Sequence, residues 1–140
     1  MNSDYGAFTL DPVGRVESTI KDRTDAPKQG DEGAPDAWIV FEPEFREAAM
    51  DLEPGDRLVV LTWLDRADRT VQRNHSRGDS SRPLMGVFGN RSPDRPNPIG
   101  LHTVTVSEVD GLRVLVSNLE AFDGTPVLDV KAELPPIGER

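Results

Sequence analysis

Short stretches in which apolar residues alternate with polar ones, or run together, recur along the chain and are typical of β-strands. They predict six or seven strands: Arg15–Ile20, Trp38–Phe41, Arg57–Leu64, Gly86–Phe88, Leu101–Val109, Leu112–Ser117 and Val127–Lys131. The Arg57–Leu64 stretch is almost continuously apolar, so we expect it to be the most buried strand. Asp-Gly pairs at 110–111 and 123–124 predict turns, the first of which closes a hairpin.

One segment has the spacing of a helix rather than of a strand. Pro43 is followed by apolar residues three or four positions apart and then by Gly55, which predicts a short helix with proline in its first turn and glycine after its end. Two long polar segments, Lys21–Asp36 and Asp65–Met85, separate the predicted strands. Because strands and helices do not alternate, the pattern favours a mainly antiparallel β-barrel or closed sheet over an α/β fold.

The length of 140 residues predicts a single domain with one core. We expect this domain to span residues 15–134, between a flexible N-terminal tail (1–14) and a short C-terminal tail (135–140). The chain has no cysteine, which excludes disulfides and thiolate metal sites. It has no signal-peptide pattern and no apolar run of membrane-spanning length, so a cytoplasmic protein without a membrane partner is expected.

Charge is distributed unevenly along the chain. The net charge is −9, yet residues 66–95, called the basic segment below, hold seven arginines against three aspartates and carry +4, which leaves −13 on the rest. A basic surface on an acidic body concentrates an anionic ligand locally, while the body opposes non-specific binding. The alternative is that the arginines only keep a solvated loop soluble.

The basic segment leads into the most constrained stretch of the chain, Gly86–Leu101. Its prolines at 93, 96 and 98 fix their own φ and push each preceding residue toward extended conformations, which predicts a stiff, extended ribbon. Arg91, Ser92, Arg95 and Asn97 lie on this ribbon. Rigid polar groups suit a small anionic or polar ligand, because little ordering entropy remains to be lost on binding. Solvated arginines in a surface loop are the alternative.

Few other residues point to metal binding or catalysis. His75 and His102 are the only histidines, and without cysteine they make a structural zinc site unfavourable, so no metal is expected. His102 stands at a predicted strand start, where a packed or surface role is expected. Val127, Asp129 and Lys131 are predicted to share one face of the last strand. The carboxylate and ammonium groups there could orient the hydroxyls and amines of a ligand, or simply pair with each other at a barrel rim.

Three motifs resemble those of one known family. They are Arg91-Ser-Pro-Asp-Arg-Pro-Asn-Pro-Ile-Gly-Leu101, Asp123-Gly-Thr-Pro-Val-Leu-Asp-Val-Lys131 and Ala26-Pro-Lys-Gln-Gly30. Together they resemble the TsaA-like (YaeB/TrmO) family of S-adenosylmethionine-dependent tRNA methyltransferases, from about residue 13 to residue 131. The resemblance implies a single-sheet β-barrel, a homodimer, and methylation of the exocyclic amine of threonylcarbamoyladenosine beside the tRNA anticodon.

The resemblance also implies where the site lies. The residues expected to bind the cofactor, S-adenosyl-L-methionine, are Gln29, Phe88, Arg91, Ser92, Arg95, Pro98, Ile99, Gly100 and Leu101. The expected catalytic residues are Asp129, Lys131 and Asn97, and those expected to contact the acceptor in the basic segment are Arg73, His75 and Arg77. Arginine suits the methionyl carboxylate of the cofactor, and Asp or Asn suits its ribose hydroxyls. Methyl transfer then needs positioning rather than an activated nucleophile.

The chain departs from the usual family pattern at three places. It has Gly89-Asn90 where Ala-Thr is usual, His75-Ser-Arg-Gly78 where His-Pro-Arg-Gly is usual, and Lys131-Ala132 where Lys-Pro is usual. These departures bear on the methyl acceptor more than on the cofactor. Three functions therefore stay open: a tRNA methyltransferase, a methyltransferase of a small metabolite, and a non-catalytic module that binds S-adenosylmethionine.

Overall fold

The computed structural model describes residues 6–21, 35–75 and 78–139. Eight strands lie in these ranges: β1 (Gly14–Glu17), β2 (Ala37–Phe41), β3 (Arg57–Trp63), β4 (Arg73–His75), β5 (Leu84–Gly86), β6 (Ile99–Asp110), β7 (Arg113–Ser117) and β8 (Pro126–Ala132). Six of them form one antiparallel sheet that closes in the order β1-β2-β7-β6-β3-β8, because β1 also pairs with β8. The other two, β4 and β5, form a separate two-stranded sheet. The prediction of a mainly antiparallel β fold is confirmed.

Aliphatic side chains fill the inside of the closed sheet, because alternate residues of a strand point to the same face. Val104 and Val106 of β6 and Val114 and Val116 of β7 are each at most 2% exposed, on the face that their alternation predicts. Gly111, in the Asp-Gly turn that joins these two strands, has a φ of 61°, which glycine adopts without strain. The sequence pattern therefore predicts this hairpin and its buried face correctly.

The predicted helix after Pro43 is wrong. Only Pro43–Phe45 is helical, as a single 3-10 turn, and residues 46–51 continue as non-helical turns. Glu42, the residue before this turn, makes no side-chain capping hydrogen bond, so the first N–H groups of a longer helix would lack that partner. Ala49 nevertheless packs against the core, which accounts for the apolar spacing.

The strand predicted over Gly86–Phe88 is also misplaced. β5 ends at Gly86, and Val87–Gly89 forms a 3-10 turn whose first residue, Val87, is buried. Its partner β4 lies in a segment that the sequence indicated only as a polar loop.

No helix in the described part of the chain is long and apolar enough to cross a membrane.

A β-bulge in β8 overturns the predicted sharing of one face by Val127, Asp129 and Lys131. Leu61 of β3 pairs with Asp129 while Thr62 pairs with Val127, so one extra residue of β8 lies between the two pairs. Val127 is fully buried and Val130 also packs against the core. The extra residue thus reverses the alternation, and the side chain of Asp129 lies on the opposite side of the strand from that of Val127.

Candidate functional site

A cavity of about 1040 Å³ opens beside the β4–β5 sheet at one end of the closed sheet. Four parts of the chain line it: residues 64–67 after β3, Asn74 and His75 of β4 together with Gly78, most of residues 90–102, and residues 120–122 with Thr125 before β8. The third of these is the proline-rich ribbon and the start of β6. The proline-rich ribbon therefore forms part of the cavity wall.

The ribbon is bent rather than extended, which corrects the prediction. Bends occur at residue 93 and over residues 95–97, and the backbone N–H of Ile99 folds back to donate to the carbonyl of Asn97 at 2.7 Å. Pro98 is fully buried, and its carbonyl accepts a hydrogen bond from the backbone N–H of Leu64 at 2.8 Å. The prolines restrict the backbone as expected, but hydrogen bonds to arginine side chains and to the neighbouring segment decide the path.

Arg95 holds the ribbon together from inside. Its Nη1 donates to the carbonyls of Asn90 and Ser92, both at 3.1 Å, and its Nη2 donates to the carbonyl of Val87 at 2.5 Å. A guanidinium satisfies several carbonyls at once because its N–H groups point outward in one plane. Arg95 borders the cavity, but much of its hydrogen-bonding capacity is used within the chain.

Arg69 fixes the far part of the ribbon in the same way. Its Nε donates to the carbonyl of Pro96 at 2.8 Å, and its Nη2 donates to Oδ1 of Asn97 at 3.1 Å. The backbone N–H of Asp68 donates to Oδ1 of Asp94 at 2.9 Å, which adds a second link between the same two segments. The segment that follows β3 is thus a rigid support for the ribbon.

Polar side chains also tie the ribbon to β4. Nδ2 of Asn74 donates to Oγ of Ser92 at 2.7 Å, Nδ2 of Asn90 donates to Oδ1 of Asn74 at 2.9 Å, and the backbone N–H of Ser92 donates to Oδ1 of Asn90 at 3.0 Å. His75, the next residue of β4, has Nδ1 2.7 Å from the carbonyl of Arg82. Since a carbonyl only accepts, this nitrogen carries a proton and donates it.

Two further arginines of the basic segment are engaged within the chain. Nη1 of Arg66 donates to the carbonyl of Lys21 at 2.7 Å, and its guanidinium carbon lies 4.6 Å from the ring centroid of Phe122. Nε of Arg82 lies 3.6 Å from Oδ2 of Asp79. The basic segment is therefore in large part a scaffold of internal hydrogen bonds and ion pairs, and much of its charge is not available to a ligand.

Arg73 and Arg91 differ from these, because neither side chain makes a hydrogen bond or ion pair with any described residue. Both are exposed, and Arg91 borders the cavity. Of the seven arginines in the basic segment, these two have side chains in the described part of the chain that are free to meet an anion. Arg77 lies outside the described residues.

His102 is a partly buried residue of the cavity wall. Its Nε2 lies 2.8 Å from Oγ1 of Thr62, which is fully buried on the neighbouring strand β3. Burial away from water lowers the pKa of His102 to about 4, so the imidazole is neutral near pH 7. Gly100 lies against this pair: a Cβ there would contact Thr62 Oγ1 and lie 2.7 Å from His102 Nε2. His102 therefore has the packed role, one of the two expected for it, and it also borders the cavity.

Asp123, in the turn before β8, holds in place the part of the cavity wall formed by residues 120–122 and Thr125. Its Oδ1 accepts from the backbone N–H of Ser18 at 2.9 Å and its Oδ2 from Nζ of Lys21 at 2.9 Å. These hydrogen bonds lower the pKa of the Asp123 carboxyl from its ordinary value. Oγ1 of Thr125, a buried residue, donates to the carbonyl of Phe122 at 2.6 Å. The turn is thereby held against the segment that leaves β1.

The structure brings most of the predicted ribbon residues to the cavity. Those that line it are Arg91, Ser92, Arg95, Asn97, Ile99, Gly100 and Leu101, together with His75 from β4. The residues that do not line it are Phe88, Pro98 and Arg73. Phe88 points to solvent, Pro98 is fully buried within the ribbon, and the side chain of Arg73 is exposed on β4. Gln29 and Arg77 lie outside the described residues.

Asp129 and Lys131 border a different cavity, of about 610 Å³, between β8 and the turns that follow Pro43. Nζ of Lys131 lies 3.2 Å from Oδ2 of Asp129, and both side chains are at least half exposed. The two residues thus pair with each other, which is the simpler of the two roles considered for them. Their catalytic role stays a prediction. Within a single chain they do not border the cavity that Asn97 lines.

Several lining residues were not predicted. They are His102, residues 64–67, Asn74, Gly78, Asn90, Pro93, Asp94, and residues 120–122 with Thr125. A signal for the last group was present, because the Asp123-Gly124 turn begins one of the motifs and a turn placed before a barrel strand lies at its rim. No group of acidic and histidine side chains in residues 6–21, 35–75 and 78–139 could hold a metal ion.

Residues 15–137 match the family described as the tRNA-methyltransferase O N-terminal domain. The chain belongs to this family. The resemblance drawn from the three motifs is therefore confirmed. The match covers every barrel strand except the first residue of β1.

Two archaeal relatives are similar over most of their length. An S-adenosyl-L-methionine-binding protein of Archaeoglobus fulgidus is 39% identical over 128 residues, which is 91% of this chain and 91% of that protein. A probable S-adenosyl-L-methionine-binding protein of Methanothermobacter thermautotrophicus is 43% identical over 120 residues, 86% of this chain and 85% of that protein.

The crystal structure of TrmO from Pseudomonas aeruginosa superposes with a TM-score of 0.75 at 27% identity. The similarity covers 94% of this chain but 58% of that one. This chain of the tRNA-methyltransferase O family thus spans little more than half the length of the solved structures it resembles, while it spans nearly the whole length of the archaeal relatives.

Proposed function

We propose that the protein is an S-adenosyl-L-methionine-dependent methyltransferase that acts on the exocyclic amine of threonylcarbamoyladenosine in the tRNA anticodon loop. The observation that carries the proposal is the 1040 Å³ cavity formed by the ribbon motif, in a chain of the tRNA-methyltransferase O family. Ligand pockets for molecules of cofactor size fall in the range of roughly 300–1000 Å³.

The residues around the cavity fit this cofactor. Leu64, Leu101 and Ala121 provide apolar walls of the kind that hold an adenine ring. Arg91 offers a guanidinium that has no partner among the described residues, which suits a carboxylate, and Asp65 offers an exposed carboxylate, which suits ribose hydroxyls. His102, neutral near pH 7, adds no positive charge to a site that would hold a sulfonium cation.

The ribbon's part in the reaction is to bind and orient. When bound, S-adenosylmethionine would supply an electrophilic methyl group for transfer from its sulfur to the acceptor nitrogen, with S-adenosylhomocysteine as the leaving group. Arg95 and Arg69 hold the ribbon's backbone in one conformation, so that Arg91, Asn97 and the wall residues are placed before the ligands arrive. Preorganisation of this kind reduces the ordering entropy lost on binding and brings the reacting groups together.

The choice of an RNA acceptor is supported by an exposed cation on the β4–β5 sheet beside the cavity. The side chain of Arg73 makes no hydrogen bond or ion pair with any described residue and so can meet a phosphate, and an unpaired loop base can enter a cavity without the cost of opening a duplex. A small-metabolite acceptor remains the second candidate. The observation in its favour is that Arg66, Arg69 and Arg95 are engaged within the chain, which reduces the basic surface that an RNA would meet.

The test is methyl transfer from S-adenosylmethionine with a labelled methyl group, followed by mass spectrometry of the products. The acceptors to compare are tRNA that carries threonylcarbamoyladenosine, the same tRNA without that modification, and a small-molecule extract. We expect label only in the modified tRNA. Label in the extract alone would establish the metabolite methyltransferase, and cofactor binding without any transfer would establish a binding module.

A further inference from the structure

Phe88 is the most exposed of the described large hydrophobic side chains, at 88%. It lies in the 3-10 turn Val87–Gly89, directly after β5 and in the first part of the ribbon. The resemblance implied a cofactor contact for this residue, yet it does not line the cavity. Asn90, two residues further on, does line it, so the aromatic ring is presented to solvent close to the cavity's edge.

The backbone that carries Phe88 is fixed on both sides. The side chain of Val87 is 2% exposed, its N–H donates to the carbonyl of Gln72 at 3.0 Å, and its carbonyl accepts from Asn90 at 3.2 Å and from Arg95 at 2.5 Å. An exposed aromatic residue on a mobile loop would lose backbone entropy when it contacts a ligand, whereas the backbone here is already positioned. Contact of this ring with a ligand would therefore cost only the rotamer freedom of its side chain.

The charges near Phe88 indicate which class of partner its ring would bind. Arg73 of β4 pairs with Gly86, two residues before Phe88, and its exposed side chain makes no hydrogen bond or ion pair with any described residue. Neither β4 nor β5 contains an acidic residue. An exposed aromatic ring with an exposed arginine on the adjoining strand is an arrangement with which proteins stack an unpaired base and bind a flanking phosphate.

We infer that Phe88 is a stacking platform for an unpaired base of the RNA acceptor, with Arg73 on an adjacent phosphate. The inference rests on the proposed function, since it assumes that the acceptor is RNA. The occupant that competes with RNA is a second copy of this chain, because Leu84 on β5 is 46% exposed and would extend an apolar contact.

The experiment measures binding of a synthetic anticodon stem-loop RNA by fluorescence anisotropy at fixed salt. Phe88→Ala and Phe88→Leu remove the aromatic ring, and Phe88→Trp keeps one. Phe8→Ala is the matched control, because Phe8 is 82% exposed but lies in the N-terminal segment outside the basic segment. Cofactor affinity by calorimetry and molecular mass by light scattering are recorded for each variant.

We expect Phe88→Ala and Phe88→Leu to weaken RNA binding about 5- to 100-fold, the usual effect of losing one stacked base. Phe88→Trp and Phe8→Ala should bind as the parent does, with cofactor affinity and mass unchanged throughout. If the parent binds RNA and Phe88→Ala binds equally well, the inference fails while the proposed acceptor survives. If Phe88→Ala instead lowers the mass, the ring belongs to a contact between copies. If the parent does not bind RNA at all, the proposed acceptor fails and the inference with it.

Discussion

The guanidinium of Arg95 donates a hydrogen bond to the carbonyl of Val87 at 2.5 Å, and so joins the middle of the ribbon to the buried residue at its beginning. Two more carbonyls between these positions accept from the same side chain. An arginine in the middle of a ligand-binding motif thus acts first on the shape of its own loop. Its contribution to a bound ligand comes second.

The first prediction concerns Arg95→Ala. The change leaves three carbonyls without their charged donor, so we expect the folded protein to lose about 2–3 kcal/mol of stability and the cofactor to bind more weakly. Arg95→Lys should recover only part of either loss, because an ammonium cannot reproduce the planar fork. Thermal unfolding and calorimetry with S-adenosylmethionine measure the two effects.

Arg91→Ala is the matched control for that experiment. Arg91 borders the same cavity but makes no hydrogen bond or ion pair with a described residue, so its removal should leave thermal stability unchanged. We expect cofactor affinity to fall about tenfold, the effect of losing one charge-assisted hydrogen bond. Equal losses of stability in the two variants would contradict the distinction between a loop-shaping and a ligand-facing arginine.

The second prediction is that Gly100→Ala destabilises the protein by about 1–3 kcal/mol, as overpacking of a filled interior does. A Cβ at this position would contact Oγ1 of Thr62 and lie 2.7 Å from Nε2 of His102, and both are held between neighbouring strands. Urea unfolding measures the loss. Gly138→Ala serves as control, since a Cβ there meets nothing within 4 Å. Unchanged stability of Gly100→Ala would show that the Thr62–His102 pair can move aside.

The third prediction concerns the acid dependence of stability. Burial lowers the pKa of His102 to about 4 from its ordinary value of 6.5, so the unfolded chain binds a proton in this interval that the folded chain does not. Stability from this residue is therefore fully present above pH 6.5 and is lost as the pH falls to 4, by roughly 3 kcal/mol.

Urea unfolding across this pH range, in the parent and in His102→Gln, isolates the effect from the carboxyl groups that titrate nearby. The parent should lose more stability than the variant between pH 6.5 and pH 4. The imidazole signals of the two histidines, assigned with His75→Gln, give the pKa directly by nuclear magnetic resonance. A pKa of His102 near its ordinary value would contradict the burial argument.

Alternation predicted the barrel well because burial on one face constrains every second residue. The valines of β6 and β7 have no other way to avoid water, so their pattern determines both the hairpin and its inward face. The same rule failed at β8, where a bulge inserts one residue between Val127 and Asp129. A bulge changes the count of residues but not their types, so periodicity alone could not reveal it.

The candidate site was predicted where local chemistry determined it, and missed where it depended on the tertiary fold. Prolines indicated a constrained ribbon, but the choice of Arg95 rather than Arg91 as its internal support depends on which carbonyls face inward. Nothing near His102 in the sequence indicates that Thr62 will lie 2.8 Å away, because β3 brings it from 40 residues earlier. Composition correctly indicated a basic segment, but not that most of its described guanidiniums would be engaged internally.

The fourth prediction is a homodimer. Ile99 and Leu101 line the cavity while each is 45% exposed, and apolar side chains at the mouth of a site are stabilised when a second copy covers them. Light scattering at micromolar concentration, with and without S-adenosylmethionine, should give twice the mass of one chain. Ile99→Asp should shift the mass toward the monomer, whereas Phe8→Asp, at a more exposed position that does not line the cavity, should not. A monomer under all these conditions would contradict the prediction.

The fifth prediction concerns how RNA binding depends on salt. If Arg73 neutralises a phosphate, Arg73→Gln should weaken RNA binding and reduce the slope of log affinity against log salt by about one, because one counterion fewer is released. Arg46→Gln removes the same charge from an exposed position at the turns bordering the other cavity, so it should leave the slope unchanged. Cofactor affinity should stay equal in both variants, since neither residue lines the 1040 Å³ cavity. Equal slopes for the two variants would mean that net charge alone drives association. A loss of cofactor affinity in Arg73→Gln would assign that arginine to the cofactor or to a small acidic acceptor instead of to RNA.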